Sequence, residues 1–102
     1  MNELITALNE TNYPFAHFAW AHAPAGTYGT YGEDGQNRLA GDNKTAEKVS
    51  VVYVSLFTKD DTGTPQTTVE AALDGIPCAW YLNTIQFEED TGYIHYEWVC
   101  EV

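Results

Sequence analysis

The sequence predicts an α+β domain, an antiparallel β-sheet of about four to five strands with two helices packed on one face. Three observations predict it. Residues 49–58 form a long run of β-branched and aromatic side chains with no Gly or Pro, which reads as the central strand. Val69, Ala72, Leu73 and Ile76 fall at the i, i+3, i+4, i+7 spacing of an amphipathic helix. Two further strand-like runs, 79–87 and 93–102, flank the turn Glu88-Glu89-Asp90-Thr91-Gly92. The 102 residues suit one domain over 1–102, with no repeat and no linker.

In chain order, Asn2 is placed to cap a short helix with Glu3 in its first turn and Leu4, Ile5 and Leu8 as its apolar stripe. That helix stops by Asn12. Residues 15–21 read as a strand blurred by alanines, the passage from Ala23 to Gly26 as a turn, and 27–32 as a strand rich in Tyr and Gly. Residues 33–45 are polar and long for a connector, an extended loop or a projecting hairpin. Both faces of the central strand are apolar, Val52, Val54 and Leu56 on one and Val51, Tyr53 and Phe57 on the other. Such a strand is expected to be covered on both sides, by a helix, a second layer or a partner subunit. Thr64 is the expected cap of the second helix, Pro65 its first residue, and Gly75 with Pro77 its stop. The last strand sets Ile94, Tyr96, Trp98 and Cys100 against a more acidic face of His95, Glu97, Val99 and Glu101.

Charge divides the chain. The net charge is −11, and Arg38, Lys44, Lys48 and Lys59 are its only basic residues. Residues 62–102 carry Glu70, Asp74, Glu88, Glu89, Asp90, Glu97 and Glu101 with nothing to balance them. This polarity suits copies meeting basic to acidic, head to tail, or simply keeps a small protein soluble. It opposes direct binding of nucleic acid, which needs clustered Lys and Arg, and of anionic membranes. No apolar run approaches a membrane span, and the basic start and apolar core of a signal peptide are lacking, so a cytoplasm is the expected compartment. Seven tyrosines and three tryptophans exceed what so small a core needs and suit protein interfaces.

The residues offer little chemistry. His17 and His22 lie five apart and would point to opposite faces of a strand, with no nearby acid or Cys, so packing outweighs metal binding. Cys78 and Cys100 are not brought directly opposite by a turn near Asp90, and free thiols outweigh a disulfide, a metal pair or a catalytic Cys100. Glu88-Glu89-Asp90 has no calcium-loop pattern around it. Gly26, Gly29, Gly32 and Gly35 lack the following helix of a phosphate cradle. With no nucleophile beside a base, the expectation is a non-enzymatic protein without cofactor or metal.

A tyrosine-containing strand, then Asp42-Asn43-Lys44, then the valine-rich strand closing on Leu56-Phe57-Thr58-Lys59-Asp60 resembles the tail terminator proteins (tail completion, or minor capsid, proteins) of long-tailed bacteriophages. Tyr13-Pro14, the Gly75-Ile76-Pro77 exit of the second helix and the final Tyr-Glu strand match in order, so the resemblance covers nearly the whole chain. Gly41, Arg38 and Phe57 depart from the family's Ala, Asn and Tyr, as does the spacing from Gly92 to Tyr96. The resemblance implies a ring, commonly of six copies, that caps the finished tail tube, stops its polymerisation and presents a surface for head joining. Its implied partners are other copies of itself, the tail tube protein and a head completion protein. It implies a place at the head-proximal end of the virion tail, with assembly in the host cytoplasm and DNA passing through the ring. Candidate interface residues are Arg38, Asp42, Asn43 and Lys44 on the basic side and Glu88, Glu89 and Glu97 on the acidic side. The alternatives are a small acidic DNA mimic that inhibits a nucleic-acid-binding enzyme, whose carboxylates should be evenly spaced, and a ligand-binding or enzymatic domain, which would need a convergent polar cluster.

Overall fold

A computed structural model describes residues 1–34 and 50–102. Seven elements follow one another: α1 (Asn2–Asn9), β1 (Phe15–His17), β2 (Tyr28–Glu33), β3 (Val51–Thr58), α2 (Thr64–Asp74), β4 (Ala79–Glu88) and β5 (Tyr93–Glu101). The strands form one sheet in the order β1-β2-β3-β5-β4, with β3 at its centre, and α1 and α2 are in contact with each other. The class is α+β.

The predicted central strand is correct, and its two faces differ. Val52, Val54, Leu56 and Thr58 are fully buried beneath the helices, while Val51, Tyr53 and Phe57 are half-buried. Among the described residues no helix or second layer of this chain covers that other face, which leaves a partner subunit as the expected cover there. Antiparallel pairing with β5 puts Cys100, Trp98 and Tyr96 opposite Val52, Val54 and Leu56, on the buried face. Leu4 and Leu8 of α1 and Val69 and Leu73 of α2 complete the core. Ala72 and Ile76 are half-buried at its margin. Trp98 is buried whole, and its indole N–H is satisfied by the Glu70 carboxylate of α2, Nε1 to Oε2 at 3.0 Å. Gln66 donates to the same oxygen at 3.2 Å.

Four details depart from the pattern read in the sequence. The sheet is mixed, because β1 runs parallel to β2. The strand expected over 15–21 ends at His17, since Phe18 turns with φ 69°. Residues 18–27 then cross back, pinned by Trp20 Nε1 to the Gly29 carbonyl at 2.8 Å, so β2 starts level with β1 instead of folding against it as a hairpin. Gly29 permits this crowding: a Cβ there would collide with the Phe15 ring and the Ser55 carbonyl oxygen. The cap of α2 is Gly63, at φ 88°, and Thr64 is already helical. The Thr62 hydroxyl accepts the Thr64 N–H at 3.3 Å, which moves the helix start by one residue. Likewise Met1, not Asn2, occupies the N-cap of α1.

A candidate assembly surface

The sequence-predicted interface residues divide between two situations. Arg38, Asp42, Asn43 and Lys44 lie outside the described residues. Glu88, Glu89 and Glu97 lie on the β4–β5 hairpin. Glu88 closes its end: its carbonyl accepts from Gly92 N at 2.8 Å, and Gly92 takes φ 78°, which favours glycine in that turn. The Glu88 carboxylate accepts from the Thr91 hydroxyl at 3.4 Å and stands 3.9 Å from Nδ1 of His95. Glu97 accepts from Asn83 Nδ2 at 3.3 Å, at a bulge where the β4–β5 register slips between Leu82 and Thr84. Glu89 and Asp90 extend into solvent at the tip. The structure thus gathers Glu88, Glu89 and Asp90 at one end of the hairpin, with Glu97 apart from them along β5.

Across the helix-free face runs an aromatic ladder. Trp20 meets Tyr28 edge-on at 6.4 Å, Tyr28 stacks on Phe57 at 5.0 Å, and Phe57 stacks on His95 at 4.3 Å. Tyr93 packs edge-on against Tyr28 at 5.6 Å and carries Lys59 Nζ 5.0 Å above its ring. These contacts join β2, β3 and β5 through side chains the sequence spreads over 76 positions. Burial, with Tyr93 and Glu88 nearby, raises the Tyr28 hydroxyl above its usual range. The surplus of aromatics noted in the sequence is partly spent on this ladder.

Sequence reasoning missed the apolar residues left in water. Ile85 is 53% exposed, Phe87 64% and Tyr81 57%, all on the edge strand β4. Their signal was present, since no charged residue occurs between Asp74 and Glu88 in a chain of net charge −11.

Of the histidines weighed as ligands, His22 is exposed and His17 has ordinary contacts. His17 Nε2 is 2.6 Å from Glu33 Oε1, and the ring stacks between Phe18 and Tyr31 at 4.1 and 5.1 Å. The hydrogen bond to His17 holds the Glu33 carboxyl below its usual range. Among the described residues no group of three or more His, Cys, Asp or Glu is placed to hold a metal ion, and no helix is long and apolar enough to cross a membrane. Cys78 and Cys100 are free, and Trp80 rather than Cys78 sits opposite Cys100. Burial, with Cys78 adding to it, pushes the Cys100 thiol up to about 12. The thiolate is the reactive species, so Cys100 should stay unmodified by iodoacetamide at pH 8 in the folded protein while half-buried Cys78 reacts first. Peptide mass mapping over time checks this; equal labelling of both before unfolding would contradict it.

No family model matches the sequence. No curated protein matches it. The fold is similar to a chain in the solved structure described as "Virion of native gene transfer agent (GTA) particle". That similarity has a TM-score of 0.57 at 18% identity and covers 96% of this chain and 81% of the other.

Proposed function

We propose that this chain is a virion structural protein, a tail terminator whose copies form a ring on the end of the tail tube. The observation that carries the reading is the similarity of fold, over 96% of this chain, to a chain of a virion particle. The resemblance of Asp42-Asn43-Lys44 and the following valine-rich strand to phage tail terminators supports the finer reading. In the ring, commonly of six copies, the basic side of one subunit, with Arg38 and Lys44, meets the acid-rich hairpin of the next, with Glu88, Glu89 and Glu97. Exposed ion pairs are each worth about 0–1 kcal/mol, so charge orients neighbours while apolar burial holds them. The ring ends growth of the tube and offers its far side to a head completion protein. Carboxylates facing the channel let DNA pass without adhering. The role is structural and needs no cofactor.

Reversal of Arg38 and Lys44 to Glu tests the reading in a tail assembly reaction. The doubly reversed protein should unfold at an unchanged denaturant midpoint and leave tails of uncontrolled length that fail to join heads. Tails of normal length with that protein would overturn the assembly role assigned to these residues.

A further inference from the structure

The edge strand β4 combines two properties at one place. As the last strand of the sheet it has β5 on one side only, and among the described residues no strand pairs with its other row of backbone N–H and C=O groups. Its distal half, Thr84 to Glu88, also carries Ile85 and Phe87, exposed on the helix-side face where the hairpin runs on past the core. Long apolar edges of this kind template pairing with another strand unless charge, proline or a bulge protects them. Here charge and proline are lacking from Cys78 to Phe87, and the bulge at Asn83 protects only the proximal half. The opposite edge of the sheet, β1, has three residues and is too short to act as a comparable template.

We propose that β4 pairs with β4 of a second copy, antiparallel about a two-fold axis at Gln86, to give one continuous sheet across two chains. Charge selects the occupant. A second copy carries the same net charge of −11, and the charge-free run from Gly75 to Phe87 lets like edges meet with no like charges opposed. The register follows from the side chains. Centred on Gln86, Ile85 faces Phe87 of the other copy twice over, and Glu88 faces Thr84. Centring one residue later sets Ile85 against Glu89 and Gln86 against Glu88. Centring one earlier sets Phe87 against the bulged Asn83. Only the Gln86 centre makes apolar cross-strand pairs on one face without opposing a carboxylate to an apolar residue. The two Glu88 residues then stand about 14 Å apart at strand spacing, beyond a screening length of about 8 Å at physiological salt. The inference rests on this edge alone and not on the proposed ring.

Sedimentation equilibrium of the full chain, from micromolar to millimolar concentration, should give the mass of two chains, and Phe87→Asp should halve it without changing the far-ultraviolet spectrum. A short thiol-to-thiol cross-linker should join two copies of a Gln86→Cys variant. It should not join those of Tyr81→Cys, an exposed site on the same strand beyond the bulge, nor the wild type with its native Cys78 and Cys100. A protein that remains monomeric throughout, a pair that survives Phe87→Asp, or cross-linking through Tyr81→Cys and not Gln86→Cys would each overturn the proposal. A six-chain mass with no cross-link at Gln86 would also overturn it while favouring the ring; a two-chain pair whose Arg38 and Lys44 reversal leaves tail length normal would uphold it and remove the assembly role.

Discussion

Replacing Trp98 with Ala is expected to destabilise the protein by about 3–5 kcal/mol, the largest effect of any single core truncation here. Trp98 is the largest fully buried side chain, and it stands opposite Val54 of the central strand and Leu82 of the edge strand. Its ring stacks on Tyr96 at 5.8 Å, so removing it leaves a cavity bounded by three strands and α2. The same change takes the indole donor from the Glu70 carboxylate, which among the described residues keeps Gln66. Small domains have about 5–15 kcal/mol in total, so the variant should lose a large share of its stability. Urea titrations followed by circular dichroism measure the loss; a change below about 1 kcal/mol would contradict the packing. The indole hydrogen bond has its own signature. Glu70→Ala should cost about 1–3 kcal/mol in the wild type, where it orphans a buried N–H, and less in a Trp98→Phe background, where there is no N–H to orphan.

Leu73→Ala is expected to cost about 2–4 kcal/mol. Leu73 is fully buried on α2, four residues after Val69, and the two side chains press that helix onto β3 and β5. The helix has no side-chain cap at Gly63 and no acidic residue in its first turn, so it depends on packing more than on its own ends. Truncation at Leu73 should therefore loosen the whole of α2 and raise amide exchange from Thr64 to Asp74 together, rather than leave a local void. A loss below about half a kcal/mol by denaturant titration would mean that the helix is held elsewhere.

Most of the elements were legible in the amino-acid order because their signals are local. The β-branched run of β3, the Val69–Leu73 spacing of α2 and the Gly92 turn between β4 and β5 each reflect a backbone preference expressed within a few residues. The row of Tyr96, Trp98 and Cys100 on β5 was legible for the same reason, since alternation is a property of one strand. The burial of Val99 on the more acidic row comes instead from its neighbours Tyr53 and Tyr81 across the sheet. The cap of α2 was misread by one residue because Thr62, Gly63 and Thr64 compete to start the same helix, and the choice depends on which hydroxyl meets which N–H.

On the candidate surface, the sequence marked Glu88, Glu89 and Glu97 by charge and placed the first two in one turn, while strand pairing sets Glu97 apart from them on β5, opposite Thr84. The parallel docking of β1 on β2 depends on Phe18 turning the chain and on Gly29 leaving room for the Phe15 ring. The aromatic ladder from Trp20 through Tyr28 and Phe57 to His95 exists only because three strands align in one register. The doubly apolar run of β3 already marked it as central, but nothing local marked β4 as the edge that leaves Ile85 and Phe87 in water, and sheet order decided that. By itself, then, the sequence determined the α+β class, the elements and their apolar faces, because local sterics and periodicity act within each segment. Only the tertiary structure decided which strands pair and which edge stays open, because those contacts join distant residues and are selected by the packing of the whole sheet against its helices.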